Sequence, residues 1–324
     1  MLETALTLES VTKNYGDFKA VDDVSFEIPS GTICGFLGPN GAGKTTTIRM
    51  ILEILRPTSG TITILGAPSA LDVRDRIGYL PEEKGLYKKM TAVGIVTYFA
   101  TLKGMPTSAA RQKARELLEK YGLGDFADSK CETLSKGMGQ KVQVLASMVH
   151  EPEFVILDEP FSGLDPVNQQ VMEEVIRDMR ARGATVIFST HVMSHAERIC
   201  ERILLMAKGR IIFEGSISEA KRTIPRRVRI STSESIDPLM EVDGVLGSQR
   251  PEGAEDPKEW DILIGDDLDP QELLRFAFDH DIPLNSFQQF EPSLHDVFVS
   301  LVGDEARKAE ARSIRNRSAT HCSQ

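Results

Sequence analysis

The residues whose chemistry reads most directly lie between positions 38 and 46: Gly38-Pro39-Asn40-Gly41-Ala42-Gly43-Lys44-Thr45-Thr46. They satisfy G-x-x-x-x-G-K-[ST], the P-loop pattern suited to holding a polyphosphate. Glycines allow positive φ, which lets successive backbone N–H groups close on phosphate oxygens. Lys44 adds a flexible cation for the β- and γ-phosphates, and the Thr45 hydroxyl is placed to ligate Mg²⁺. A helix expected from Lys44 to about Leu55 aims its N-terminal dipole at the same anion. Thr32–Leu37 reads as a short buried strand leading into the loop.

The elements that must position this loop alternate in kind. Ala5–Leu8, Ala20-Val21 and Val24–Ile28 have strand alternation, with Tyr15-Gly16-Asp17 at a turn between them. Further strands are expected at Gly60–Gly66 and at Ile77–Pro81, and a helical pattern runs from Thr91 to about Tyr121. Phe154–Asp158 is an apolar strand that ends in acid. Asp165-Pro166 reads as a helix cap with proline at the first helical position, and that helix is expected to run to Arg182 and stop at Gly183. Thr185–Thr190 is another buried strand, and Ile203–Met206 with Arg210–Glu214 form a hairpin through Lys208-Gly209. Buried strands alternating with helices imply an α/β fold with a mostly parallel sheet; the antiparallel pieces at the start imply a second, smaller sheet.

The character changes after about Thr223. Arg226–Ile230 is a basic strand, residues 250–259 a polar loop, Trp260–Ile264 a strand, Pro270–His280 a helix, and a last helix begins near Pro292. The expected organisation is a nucleotide-binding domain over 1–222, a small α+β appendage over 223–303, and a disordered tail over 304–324. The appendage offers no motif with evident chemistry: a stabilising or dimer-supporting role and a regulatory ligand site both stay open. Its Arg226, Arg227 and Arg229 are expected on a solvated strand face.

With 324 residues and 41% hydrophobic content there is a real core, and the net charge of −10 argues against nucleic acid as the main partner. The four cysteines, Cys34, Cys131, Cys200 and Cys322, have neither C-x-x-C nor zinc spacing, which suits reduced thiols in the cytoplasm. The N-terminus does not read as a secretion signal, and no window approaches the roughly 20 apolar residues of a membrane span. A membrane role therefore needs another chain to supply the crossing.

A second set of motifs follows the first. Leu134-Ser135-Lys136-Gly137-Met138-Gly139-Gln140 precedes the strand that ends in Asp158-Glu159; Ser162-Gly163-Leu164-Asp165 and then His191 come after it. In this order the sequence, from Leu6 to Glu219, resembles the ATP-binding subunits of ABC transporters. Gly78–Tyr87 and Glu291–Phe298 are similar to those of an exporter-type subgroup, with sodium- and drug-efflux relatives, that carries a small C-terminal domain.

The resemblance implies a P-loop NTPase fold of the ABC ATPase kind, with a helical subdomain over about 88–150, and it implies roles. Tyr15 stacks on adenine. Asp158 holds Mg²⁺ through water, and Glu159 is the catalytic carboxylate that orients or deprotonates the attacking water. His191 donates to the γ-phosphate. Ser135 and Gly137 cap, in trans, the γ-phosphate held by the P-loop of a second ATP-binding subunit, and Asp165 crosses to that subunit. The cofactors are then ATP and Mg²⁺, and the partners are that second subunit (homo- or heterodimer) and a membrane-spanning permease on a separate chain. The protein would sit peripherally on the cytoplasmic face of the membrane.

Three positions depart from the family pattern. Lys136 and Met138 replace glycine and glutamine in the Leu-Ser-Gly-Gly-Gln stretch, and Glu82 stands where glutamine is usual, near the expected metal and water. A carboxylate at 82 can still accept from water or metal. Two other readings compete: a soluble ABC-type ATPase acting on translation or nucleic acid, disfavoured by a single P-loop and no sustained heptads, and a non-catalytic nucleotide-binding regulator, disfavoured by the presence of Lys44, Glu159 and His191 together.

Overall fold

The computed structural model describes residues 3–82, 87–251 and 256–303, and the chain divides into two compact units at Ser216/Ile217. The tail over 304–324, and residues 83–86 and 252–255, lie outside the described residues.

In the first unit, β1 (Thr4–Tyr15) and β2 (Phe18–Pro29) form a long hairpin whose register slips at several points along β1. β3 (Ile33–Leu37), buried at every position, feeds the phosphate loop and α1 (Lys44–Ile51). The expected extension of α1 to Leu55 is not made. Glu53 takes a positive φ of 54°, and Arg56 is disfavoured from helix by the proline that follows it. β4 (Ser59–Ile64) returns to β1, giving a three-stranded antiparallel sheet in the order β2-β1-β4.

The chain then passes through β5 (Ile77–Leu80) into helices. The single helical run expected over 91–121 is two helices, α2 (Ala92–Leu102) and α3 (Thr107–Lys120), because Gly104 turns left-handed and Pro106 precedes the second. α4 (Lys136–Met148) follows, capped by the Ser135 hydroxyl, which accepts the Met138 N–H.

β6 (Phe154–Asp158), α5 (Pro166–Ala181), β7 (Thr185–Thr190), α6 (Met193–Ile199), β8 (Arg202–Ala207) and β9 (Arg210–Gly215) complete the unit. The large sheet has the order β5-β6-β7-β3-β8-β9, parallel except for β9. Its inner strands read as near-continuous apolar runs because both faces are covered. The order places β3 and β6 on either side of β7, so the P-loop and the acidic strand end open on the same edge of the sheet, at the carboxyl ends of the strands.

The second unit opens with α7 (Ile217–Lys221) and builds an antiparallel sheet in the order β11-β12-β10-β13 from β10 (Arg226–Ser231), β11 (Val245–Gln249), β12 (Glu259–Ile264) and β13 (Ser286–Phe290). α8 (Pro270–Asp279), capped by Asp269, packs Leu273 and Ala277 into a core with Val228, Ile230, Ile262 and Ile264. Residues 294–303 are helical. The three arginines of β10 are not a solvated face. Arg229 pairs with the buried Asp261 at 2.7 and 3.0 Å, Arg227 lies 3.7 Å from the same carboxylate, and Arg226 donates to the carbonyls of Gly265, Asp266 and Leu268. Burying a carboxylate this deeply is costly without such partners.

Candidate nucleotide site

The phosphate loop is closed by one contact within itself and one from a neighbouring turn. The Ala42 N–H donates to Pro39 O, and Gly209 N–H donates to Ala42 O from the β8–β9 turn. Gly38, Gly41 and Gly43 all have positive φ. The left-handed Gly43 stands before α1, whose first turn has no side-chain cap, which leaves that turn's N–H groups for an anion. Lys44 folds back over the loop and donates to Gly38 O at 2.7 Å and Pro39 O at 3.1 Å. Burial holds its ammonium below the ordinary lysine value, against the pull of Glu159, Asp158 and Glu82. A buried cation held only by carbonyls and facing three carboxylates is prepared for a polyphosphate.

These groups line one cleft of about 410 Å³, bounded by Tyr15, Phe18, Ala20, the loop from Asn40 to Thr46, Glu82, Asp158 and Glu159. Tyr15 and Phe18 face each other across the β1–β2 turn and are 52% and 65% exposed, so two rings are available where a planar base could lie. Lys13 Nζ lies 5.4 Å from the Tyr15 ring centre.

Asp158 (1% exposed) ends β6 and Glu159 (8% exposed) follows it. Among the described residues no group of three or more His, Cys, Asp and Glu side chains is arranged to hold a metal alone. The cleft offers instead the Thr45 hydroxyl, Asp158 and Glu82, a hard-oxygen set beside the phosphate cradle. Asp158 Oδ2 is buried and has no hydrogen-bond partner among the described residues. This fits Mg²⁺, which takes few protein ligands and keeps waters and phosphate oxygens. His191 Nδ1 lies 2.8 Å from Glu159 Oε1, which brings the histidine to the carboxylate from the end of β7.

The chain matches the ABC transporter family model over residues 21–162, and residues 215–302 match the C-terminal domain of DrrA1-3-like ATP-binding proteins. It is 40% identical over 299 residues to YhaQ, an uncharacterized ABC transporter ATP-binding protein of Bacillus subtilis (strain 168), covering 92% of this chain and 98% of that one. The chain belongs to the ABC transporter ATP-binding proteins. It is also similar, at 32% identity over 322 residues, to the daunorubicin resistance ATP-binding protein DrrA3 of Streptomyces coeruleorubidus, with 96% of this chain and all of that one covered. A dimeric ATP-binding cassette in a post-hydrolysis state, bound to ADP and Pi, superposes with a TM-score of 0.60 at 26% identity, over 65% of this chain and 98% of that one. The protein is thus an ATP-binding ABC ATPase.

Three of the residues singled out by sequence do not reach this ATPase's own cleft. The Ser135 hydroxyl caps α4, Gly137 is buried at the start of that helix, and Asp165 caps α5 by accepting the Asn168 N–H at 2.9 Å. They meet one another instead. A Cβ on Gly137 would lie 3.1 Å from Asn168 Nδ2, the amide that donates to Asp165 Oδ2. Lys136 lies against Gly163, where an added Cβ would be 2.1 Å from its Nζ. The two stretches form one surface.

Sequence reasoning passed over Phe18, Ser189 and Asn168. Phe18 carried a signal: an aromatic directly across a turn from Tyr15. Asn168 stands at the third helical position after the Asp165 cap, where a side chain can reach back to it. Ser189 was visible only as a polar residue inside an apolar strand.

Proposed function

We propose that this chain is the ATP-hydrolysing subunit of an exporter-type ABC transporter, working as a dimer on a separate membrane-spanning permease at the cytoplasmic face. The observation that carries this is the convergence of Lys44, Asp158 and Glu159 on one cleft at the end of the parallel sheet. Lys44 and the first-turn N–H groups of α1 hold the phosphates, and a ring at Tyr15 receives the base. Thr45, Asp158 and Glu82 would hold Mg²⁺, which when bound neutralises phosphate charge. Glu159 accepts a hydrogen bond, or the proton, from the attacking water. His191 Nδ1 pairs with the Glu159 carboxylate, which leaves Nε2 as the ring nitrogen to face the γ-phosphate.

The joined surface of Ser135, Gly137 and Asp165 lies outside the cleft and suits a second subunit placed over the first one's nucleotide. ATP at that interface closes the dimer, and hydrolysis releases it. For the permease, the first unit offers an apolar hollow of about 260 Å³ rimmed by the exposed Ile54 and Leu71 and by Phe99, from which a run of edge-to-face rings continues to Tyr98 and the exposed Tyr87. No helix among the described residues is long and apolar enough to cross a membrane, so the crossing falls to the partner. Outward transport is supported by the similarity to the Nod factor export ATP-binding protein I of Burkholderia orbicola (strain AU 1054), 39% identical over 214 residues, 65% of this chain and 70% of that one.

Glu159→Gln tests the reading. It is expected to bind ATP as the parent does, to lose at least about 100-fold in turnover, and to accumulate as an ATP-bound dimer that co-purifies with a multi-span membrane protein. Hydrolysis at the parental rate would falsify the assignment of Glu159. Recovery with ribosomes or nucleic acid in place of a membrane protein would overturn the transporter role.

A further inference from the structure

The end of β7 holds a polar arrangement that nucleotide contact alone does not require. Ser189 is fully buried in a strand buried at every position, and it stands in register opposite Asp158. A hydroxyl placed there is costly unless it is fully used. It is used twice: Ser189 Oγ donates to Asp158 Oδ1 and accepts the Glu159 N–H at 3.1 Å. The same N–H reaches Ser189 O at 3.2 Å.

Both neighbours have something to be held. Glu159 has a φ of +51°, a conformation unfavourable for any residue with a Cβ and kept only where its surroundings enforce it. Asp158 has two chemically equivalent oxygens on a soft terminal torsion. The hydroxyl makes them inequivalent, because Oδ1 is taken while Oδ2 is buried with no partner among the described residues. The rest of the strand end serves the same pair. Thr190 Oγ1 accepts the Val192 N–H, shaping the turn that carries His191 to the Glu159 carboxylate.

We propose that Ser189 is a positioning residue for ATP hydrolysis. It commits Asp158 Oδ1, leaves Oδ2 as the oxygen available to the nucleotide's cation, and clamps the backbone that carries Glu159. This rests on the roles proposed above for Asp158 and Glu159.

The test measures the affinity of the full chain for a fluorescent ATP analogue, once with excess EDTA and once with excess Mg²⁺, together with single-turnover hydrolysis. Ser189→Ala should change the EDTA affinity by less than about twofold, reduce the Mg²⁺ enhancement about tenfold, and slow hydrolysis by at least about tenfold, the scale of one charge-assisted hydrogen bond. Ser189→Thr, which keeps the hydroxyl on a β-branched residue suited to a strand, should restore both. Ser189→Cys fills the same space with a weak donor, should behave like the alanine variant, and stands in for it if that variant does not fold.

Three results overturn the proposal: an unchanged Mg²⁺ enhancement in Ser189→Ala, an equal loss with and without Mg²⁺, or no recovery in Ser189→Thr. Asp158→Asn separates the two layers of the argument. If it too keeps the full enhancement, the reading of Asp158 falls and takes the proposal with it. If it loses the enhancement while Ser189→Ala does not, only the role of Ser189 falls.

Discussion

Gly38→Ala is the sharpest perturbation of the phosphate cradle. Gly38 has a φ of +153°, and a Cβ there would lie 2.2 Å from the carbonyl oxygen of Met206. Met206 belongs to β8, which is buried along almost its whole length and bonded to β3, so its backbone cannot retreat. Real contacts start near 3.0 Å, and the loop must lift by about 0.8 Å. Overpacking of this kind costs about 1–3 kcal/mol. In a domain of this size that lowers the melting temperature by roughly 3–10 °C. The effect on nucleotide is larger. Lys44 Nζ is anchored on Gly38 O, so the lysine moves with the loop. Losing one charge-assisted hydrogen bond to phosphate, at about 1.5–3 kcal/mol, weakens ATP binding by at least about tenfold, and losing two weakens it by more than about 100-fold. Gly41→Ala is the internal control. Its φ is +78°, but no atom of the described residues lies within 4 Å of the added carbon. It bears only left-handed strain of about 1–2 kcal/mol, and its affinity should stay within about tenfold of the parent. Calorimetric titration with ATP and thermal melts of both variants decide the matter. If Gly38→Ala binds ATP as tightly as Gly41→Ala, the contact with Met206 does not shape the cradle and the reasoning is wrong.

Two further outcomes are expected. Tyr15→Ala should weaken ATP binding about tenfold, the scale of one base–aromatic stack, with Tyr15→Phe close to the parent; an unchanged affinity in Tyr15→Ala would pass the base to Phe18. Burial holds His150 and His195 below the ordinary imidazole value of 6.5, and the Nδ1 of each is buried without a partner among the described residues. Each therefore takes a proton more readily in the unfolded chain. The stability they contribute is complete above about pH 6.5 and drains away as pH falls through their folded values. Melting temperatures followed from about pH 7.5 to 5.5 should drop less steeply in a His150→Gln/His195→Gln variant than in the parent; parallel curves would show that neither ring is titrating on unfolding.

What could be read in advance was local or periodic. The phosphate loop is a nine-residue instruction, and the strand and helix around it follow from the buried run at Ile33–Leu37 and the glycine before Lys44. The acid pair at Asp158-Glu159 was equally plain, since an apolar strand that ends in two carboxylates has few other uses. The two small-sheet hairpin strands were recognised only in pieces, because register slips between Leu8 and Asn14 break the alternation of β1. The helical run after Thr91 was read as one piece because the breakers at Gly104 and Pro106 are short and the apolar pattern resumes beyond them.

The unread part depended on which strand lies beside which. Nothing in the local pattern of Thr185–Thr190 says that Ser189 stands opposite Asp158; that follows only once β7 is inserted between β6 and β3. The same placement carries His191 to Glu159, so a residue expected to touch phosphate is found holding the carboxylate that would activate water. Ser135, Gly137 and Asp165 teach the complementary lesson. Their motif order identified them, yet within one chain they serve as two helix caps and a close packing point that join α4 to the start of α5. If both stretches face a second subunit, they must move as one body, because Asn168 touches Gly137 and holds Asp165 at once.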